Sequence, residues 1–305
     1  SARMRAATMC TAPGITTTAN AAHSIANNLT LDGANTMNIA SNTTTLSGVL
    51  NGGGGITKTG AGTLVVTGAN TNTGNTAVNA GVLNIRHASA LGSGDATVAS
   101  GAELQLQGGI SVGGRRVTVT GSGNNGALKS ISGNNTWAGD ISAVAVSGIT
   151  RIASDAGTFT LSGEITQANG STDQLVFQGN GNILVTGAID GVSNVTRSNT
   201  GSGVVSLVGE NTYTGQTILN GGVTEVESIS SLVGNPGDED VALNASGLGA
   251  PETTAMGTIT MGSSSTTATL RFIAPTLKTD RVIALAGTTG GAIIEQNGSG
   301  TLTLL

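Results

Sequence analysis

The sequence predicts an all-β protein in which residues 1–305 form a single parallel β-solenoid. Glycine accounts for 49 residues and aromatic residues for only 2%, while 37% of the chain is hydrophobic. Short runs alternate between apolar and polar residues, and one long segment recurs later in the chain. A wide core needs aromatic side chains, so stacked short strands filled by small aliphatic residues are a better match to this composition.

Short strands are predicted between points rich in Gly, Asn, Asp and Ser. Each run has the period of two that is typical of a strand. No window offers a capped amphipathic helix, because Gly and Thr oppose helix formation. The alternating runs lie at 63–67, 82–85, 103–107, 117–120, 158–162, 175–178, 183–186, 204–208, 269–273 and 292–296.

One segment repeats without a gap, since Gly60–Arg86 aligns with Gly201–Glu227. Equivalent strands of a solenoid stack above one another, so about 20 residues per coil and about 4.8 Å per rung give roughly 15 coils and a rod about 70 Å long. A loop or irregular coil is expected at 233–257. Strong copies of the repeat are at 49–94 and 191–232, and weaker copies are at 122–191 and 290–305.

A short phrase, G-x-N-T-x-x-G, occurs three times and is predicted to form the corner between two strands. Its glycines would allow positive φ, for example at Gly74 and Gly215, and its Asn would bond its own backbone in an Asx turn. The fixed positions are Gly68, Asn70 and Gly74 in the first copy, Gly133, Asn135 and Gly139 in the second, and Gly209, Asn211 and Gly215 in the third.

The fifth position of the phrase holds Asn72, Trp137 and Tyr213, and the last two are the only Trp and Tyr of the chain. At a corner this side chain is expected to point outward. Trp137 and Tyr213 would then either cover backbone or offer an aromatic face to a sugar ring or a partner surface. Both are therefore candidate surface contacts, although a binding platform would need more aromatics on one side.

The spacing G-x-G-T-L-x-x-x-G-x-N-T-x-T-G-x-T at 60–76 resembles the autotransporter-associated β-strand repeat, found in passenger domains of Gram-negative type V secreted proteins. The resemblance is close in the strong copies and looser in the weaker ones. It implies a right-handed parallel β-helix, an extracellular or outer cell-surface location, and a role in adhesion or surface architecture. It implies no catalytic activity.

Composition disfavours several classes of partner and cofactor. The formal net charge is −5 and Lys and Arg do not cluster, so nucleic-acid binding is disfavoured. No run of about 18 or more apolar residues occurs, so no membrane span is predicted in this segment. His23 and His87 stand alone, without the spacing of a metal site or a catalytic triad, and no cofactor is predicted.

Acidic residues are scattered, whereas a polysaccharide-active enzyme needs clustered carboxylates, so no catalytic residue is predicted. In the one acidic run, Asn235–Asp240, the residues Asp238, Glu239 and Asp240 could bind Ca²⁺ through oxygen ligands. The alternative is a solvated loop extruded from one coil. The single acids are Asp32, Asp95, Glu103, Asp140, Asp155, Glu164, Asp173 and Asp190.

The last residues, GSGTLTLL, begin another copy of the repeat, and Leu302 and Leu304 would leave an uncapped strand edge. We expect this edge to meet another coil, either from a longer chain or from a neighbouring copy. The leading functional hypothesis is a non-catalytic extracellular rod that binds a host surface or a polysaccharide. The alternatives are a filament subunit that stacks end to end and a polysaccharide-active β-helix enzyme.

Overall fold

Parallel strands build a β-solenoid in the computed structural model, which describes residues 14–17, 22–167, 170, 172–191, 193–232 and 245–305. Three long sheets run side by side along the axis, and strands within each sheet come from successive coils. Between the strands named below, every pairing in the described residues is parallel. The predicted all-β parallel solenoid is confirmed.

Sheet one has nine strands, each of which stacks on its equivalent in the coil before. They are β1 (Gly14–Thr17), β4 (Ala34–Ile39), β7 (Gly55–Thr59), β9 (Thr76–Val78), β11 (Ala96–Val98), β14 (Val117–Thr120), β17 (Ile141–Val144), β20 (Ile165–Gln167) and β23 (Ile189–Asp190).

Sheet two is the longest, with twelve strands. They are β2 (His23–Ile25), β5 (Thr43–Leu46), β8 (Thr63–Val66), β10 (Val82–Ile85), β12 (Glu103–Gln107), β15 (Leu128–Ser132), β18 (Ile149–Ser154), β21 (Gln174–Gln178), β24 (Asn194–Arg197), β26 (Thr217–Leu219), β28 (Ile259–Ser264) and β31 (Ile283–Gly287).

Sheet three has eight strands and begins part-way along the rod. They are β13 (Ser111–Val112), β16 (Asn135–Trp137), β19 (Thr158–Leu161), β22 (Asn182–Val185), β25 (Val204–Leu207), β27 (Gly222–Val226), β29 (Ala268–Phe272) and β32 (Ala292–Gln296). Two small parallel pairs and one short helix complete the described elements: β3 (Leu29–Thr30) with β6 (Leu50–Asn51), β30 (Leu277–Thr279) with β33 (Leu302–Leu304), and α1 (Thr254–Gly257).

The core consists of ladders of like residues, because strand alternation turns every second side chain inward. In β14 the two Val residues are buried and the two Thr residues are partly exposed. Along sheet two, register partners place aliphatic residues directly above one another, and each is almost fully buried. One such ladder contains Leu64, Leu83, Leu104, Leu128 and Ile152.

The solenoid has about 11 turns, so the expected number of roughly 15 coils is wrong. Twelve stacked strands in sheet two correspond to a rod about 50 Å long at the strand spacing of about 4.8 Å. The coils differ in length, whereas the estimate of roughly 15 coils assumed one length for all of them. Thr63 pairs with Val82, whereas Leu104 pairs with Leu128 and Thr217 pairs with Ile259 across the segment that contains 233–257.

The two strong repeat copies lie on different faces of the rod. Gly60–Arg86 contains β8, β9 and β10, which belong to sheets two, one and two. Gly201–Glu227 contains β25, β26 and β27, which belong to sheets three, two and three. The repeat therefore specifies a strand, a corner and two further strands, and not a fixed face of the solenoid.

Candidate functional site at the repeat corners

The Asn of each phrase is buried and connects neighbouring rungs. Asn70 accepts a hydrogen bond from Leu50 N at 2.8 Å and donates to Ala90 O at 2.6 Å, so one side chain joins three successive coils. Asn211 accepts from Ile189 N at 2.8 Å and donates to Gly247 O at 2.9 Å. These bonds replace the Asx turns that the sequence predicted, because the buried amide satisfies backbone groups above and below it.

Asn135 makes the corresponding contacts within sheet three. Its Oδ1 accepts from Ile110 N at 2.9 Å and Gly109 N at 3.0 Å in the preceding coil. Its Nδ2 donates to Ser130 Oγ at 2.9 Å and to Ser132 O at 3.0 Å. A buried amide with this many partners holds its corner in one register.

The corner glycines allow close approach between coils, and most do not adopt positive φ. Positive φ occurs at Gly133 (84°), but Gly74 and Gly215 are not among the residues with positive φ, so the expectation for those two is wrong. A Cβ at Gly215 would lie 2.2 Å from Ser193 O, and a Cβ at Gly74 would lie 2.3 Å from Gly55 N. The glycines are required because adjacent coils leave no room for a side chain.

Trp137 and Tyr213 lie inside the solenoid, with 0% exposure, and Asn72 is 1% exposed. The prediction that this position points outward is therefore wrong, and neither aromatic is a surface contact. At Asn72 and Tyr213 the chain crosses a side of the coil without forming a strand, and the inward side chain occupies the interior there. The Tyr213 hydroxyl bonds Thr217 Oγ1 at 2.8 Å, and burial raises the pKa of Tyr213 to about 12.

Two buried cations lie just before Gly-x-Gly turns, and sequence reasoning missed both. Lys58 is fully buried and donates to Thr59 O, Gly60 O and Ala80 O at 2.8–3.0 Å. Burial lowers the pKa of Lys58 to about 8. A basic residue in an inward-facing strand position before G-x-G, as in T-K-T-G-A-G, was the available signal.

Arg197 has the same role in the later copy and is 2% exposed. It takes the inward position that Phe177 takes one rung earlier. Its guanidinium donates to the carbonyls of Ser198, Thr200, Gly201 and Gly203 at 2.5–3.1 Å, and burial lowers its pKa. Both cations are held by backbone oxygens that turn inward around Gly60 and Gly201, which have positive φ.

The described segment that begins at residue 245 packs on the corner formed by the third copy of the phrase, Gly209–Gly215. Ser246 forms an antiparallel bridge with Asn211, and Leu248 is fully buried. Arg281 donates to Leu248 O at 2.6 Å and to Gly257 O at 2.7 Å, which fixes both ends of this segment. The candidate calcium ligands Asp238, Glu239 and Asp240 lie outside the described residues.

Two of the single acids accept hydrogen bonds from backbone N–H groups of the next coil. Asp95 Oδ1 accepts from Arg116 N at 2.9 Å, and Asp140 Oδ1 accepts from Glu164 N at 3.3 Å, each one coil further on. In the described ranges, no group of three or more His, Cys, Asp or Glu is close enough to hold a metal ion. Over the same ranges, no helix has the length and apolar character that crossing a membrane requires.

Two segments of the chain match a family model, the passenger-associated-transport-repeat, at residues 56–85 and 200–226. These two segments are similar to passenger repeats. Each match begins near a buried cation, includes the G-x-N-T-x-x-G phrase and ends in the second strand after the phrase. The resemblance seen in the sequence is thereby confirmed in its two strong copies.

A similar protein is the autotransporter adhesin BmaC from Brucella suis biovar 1 (strain 1330), which is 45% identical over 98 residues. That alignment covers 31% of this chain and 3% of the adhesin. No solved structure matches the chain. The passenger repeats and this relative support the predicted location, which is extracellular or at the outer cell surface.

Proposed function

We propose that the chain is a non-catalytic, adhesive segment of a surface-exposed passenger, in which the solenoid supplies length and rigidity. The observation that carries the proposal is the pair of passenger repeats at 56–85 and 200–226, folded as corners of one continuous parallel stack. The relative that is named an adhesin supports the adhesive role.

Rigidity follows from how the coils are joined. Nearly every coil is bonded to its neighbours through sheet two, and buried side chains such as Asn70 and Asn135 add bonds between coils at the corners. Three buried cations donate hydrogen bonds to backbone carbonyl oxygens and so stabilise the fold: Lys58, Arg197 and Arg281. Outward-facing residues are therefore the ones available to a host surface or a polysaccharide.

Adhesion is tested with the purified chain coupled to fluorescent beads. Under flow, we expect the beads to be retained on a subset of cultured cell monolayers or polysaccharide-coated surfaces, and beads that carry the heat-unfolded chain to be washed off. The same preparation should release no reducing ends from a panel of polysaccharides. Equal retention of folded and unfolded chains would contradict an adhesive role, and turnover of a polysaccharide would contradict the non-catalytic one.

A second candidate is a subunit that stacks end to end, and the exposed apolar residues on the final strands favour it. Leu285 is 74% exposed on β31, and Leu304 is 50% exposed on β33. β33 pairs with β30 on one side through Leu302 and Leu304. Light scattering should then show mass that grows with concentration, and Leu302→Lys with Leu304→Pro should abolish the growth. A monomer at every concentration would exclude stacking.

A further inference from the structure

A polar groove runs across the outer face of sheet two. It consists of two adjoining depressions of about 500 Å³ and about 450 Å³, which share Asn125 and Lys129 in their walls. The first begins near Ala61, beside β8, and the second ends near Gly201, beyond β24. The sheet-two groove therefore crosses seven successive rungs, a length of about 29 Å at the spacing of parallel strands.

Segment 122–126, the strap, crosses sheet two in the middle of this groove and forms part of the wall of both depressions through Asn125. Glu103 Oε1 accepts from Asn124 N at 3.0 Å on one side, and Gln178 Nε2 donates to Asn125 O at 2.9 Å on the other. Ala153 lies between Lys129 and Gln178 in the same outward column, and its small side chain lets Gln178 reach the strap. The strap is thus held from both ends of the groove.

The carboxylates of the groove already have partners. Glu103 accepts from Gln105 Nε2 at 2.7 Å as well as from the strap. Asp155 forms an ion pair with Lys129 at 2.9 Å. Neither acid is available to balance another cation.

Arg151 is the exception among these charged side chains. It lines the second depression from β18, yet no side-chain hydrogen bond or ion pair joins it to the described residues. Its Nε is buried without an acceptor. A partly buried guanidinium without a partner loses hydration and gains nothing in return, and its planar fork matches a carboxylate or sulfate.

The remaining groups of the groove are carboxamides and hydroxyls. Gln105, Gln178, Asn180 and Thr200 each make a hydrogen bond within the protein. Every one of these carboxamides keeps a second N–H for a ligand, because an amide nitrogen carries two hydrogens. No aromatic side chain lines either depression. A peptide usually binds a sheet through an exposed strand edge, but the groove lies on the face of a sheet whose strands are already paired. A polymer rich in hydroxyl groups fits these side chains better.

We propose that the sheet-two groove binds a linear, anionic oligosaccharide, with one carboxylate or sulfate group on Arg151. The inference rests on the proposed adhesive function and names the class of ligand. Hydrogen bonds from the carboxamides hold the sugar hydroxyls, and the ion pair at Arg151 sets which sugar lies in the second depression.

The test is calorimetric titration of the full chain with a galacturonic acid hexamer, with the fully methyl-esterified hexamer as the neutral form. We expect the acidic hexamer to bind and the ester to bind at least about tenfold more weakly, because a hydrogen bond to a charged group is lost. Arg151→Gln should weaken the acidic hexamer to the same extent, and Arg151→Lys should give an intermediate affinity. A sulfated oligosaccharide of equal length tests whether carboxylate or sulfate is preferred.

Arg116→Gln is the matched control, since Arg116 is an arginine that is 63% exposed beside sheet one, away from the groove. It should leave the affinity unchanged. Thermal unfolding by circular dichroism checks that both variants remain folded. Equal binding of the acidic and esterified hexamers, or an equal loss from Arg116→Gln, would overturn the assignment of Arg151.

Poly-glutamate is the competing ligand. Tighter binding of poly-glutamate than of any oligosaccharide would overturn the sugar class in favour of an acidic peptide. Failure of all anionic oligosaccharides to bind, with beads still retained on cells, would refute the groove and leave the adhesive function standing. Binding of the hexamer without bead retention would support the groove and contradict the adhesive function.

Discussion

The side chain of Tyr213 fills the interior of the solenoid at a corner where the chain forms no strand of sheet one. Tyr213→Ala should therefore lower the free energy of unfolding by about 3 to 5 kcal/mol, because it leaves a large cavity. Tyr213→Phe should cost only about 1 kcal/mol, for the hydrogen bond to Thr217. Urea unfolding measures both.

The control for Tyr213 is Val146→Ala, since Val146 is 42% exposed. Its effect should be within about 0.5 kcal/mol of zero, as for most surface substitutions. A Tyr213→Ala protein as stable as the Val146→Ala protein would show that the aromatic ring does not support the corner.

Lys58 makes stability depend on pH in the alkaline range. Its pKa is about 8 in the folded protein and 10.5 in the unfolded chain, so between these values the unfolded chain binds more protons. The contribution of Lys58 to the free energy of unfolding is constant below pH 8. It raises that free energy by about 1 to 2 kcal/mol between pH 8 and pH 10. Denaturant midpoints at pH 7 to 10 measure this rise.

Lys58→Met should abolish the rise while it keeps most of the buried volume. The range stops at pH 10 because Tyr213, with its pKa raised to about 12, lowers stability above the ordinary pKa of tyrosine. The expectation is wrong if wild type and Lys58→Met follow the same pH profile.

At the residue level, the sequence located the Asn and Gly positions of the phrase but not their contacts. The pattern shows that Asn70 and Gly74 recur, whereas the bonds of Asn70 are to residues in other coils and depend on register. The Tyr213 side chain points inward because its coil has no strand of sheet one at that position. The spacing of residues around Tyr213 does not show whether that strand forms.

At the level of elements, corners of neighbouring coils lie so close together that only glycine fits between them. Gly215→Ala should cost about 2 to 3 kcal/mol, because its Cβ would lie 2.2 Å from Ser193 O and the corner would have to move. Gly53→Ala is the control, since a Cβ there has nothing within 4 Å. Thermal unfolding of the two variants compares them, and equal melting temperatures would contradict close approach.

Most strands were predictable because alternation is a local property. The run at 103–107 corresponds to β12, and the run at 292–296 corresponds to β32. Two- and three-residue strands such as β13 and β23 were missed, since so few residues show no period. Their pairing comes from the neighbouring coils and not from their own sequence.

For the described solenoid as a whole, the last coil of this chain should be the least stable part. β31, β32 and β33 are bonded to a neighbouring strand on one side only, whereas β15, β18 and β21 are bonded on both. Amide hydrogen exchange followed by mass spectrometry should show the strongest protection in the central coils and the weakest after 283. Uniform protection along the chain would show that the coils open together.

The number of turns could not be read from the sequence, since coil length varies with the insertions between strands. The two copies that align without a gap share one short coil length, a longer length recurs where Asn135 pairs with Phe159 and Phe159 pairs with Ile183, and the described segment 245–257 belongs to a much longer coil. The parallel stack itself followed from the repeat, because like strands bury like residues only when they lie above one another.

The carbonyl oxygens around Lys58 and Arg197 form the kind of oxygen-lined cage that hard metal ions occupy in other proteins. Here the positive charge is part of the polypeptide. Its local concentration does not fall with dilution, and a chelator cannot remove it. These two corners therefore close without any supply of divalent ions from the medium.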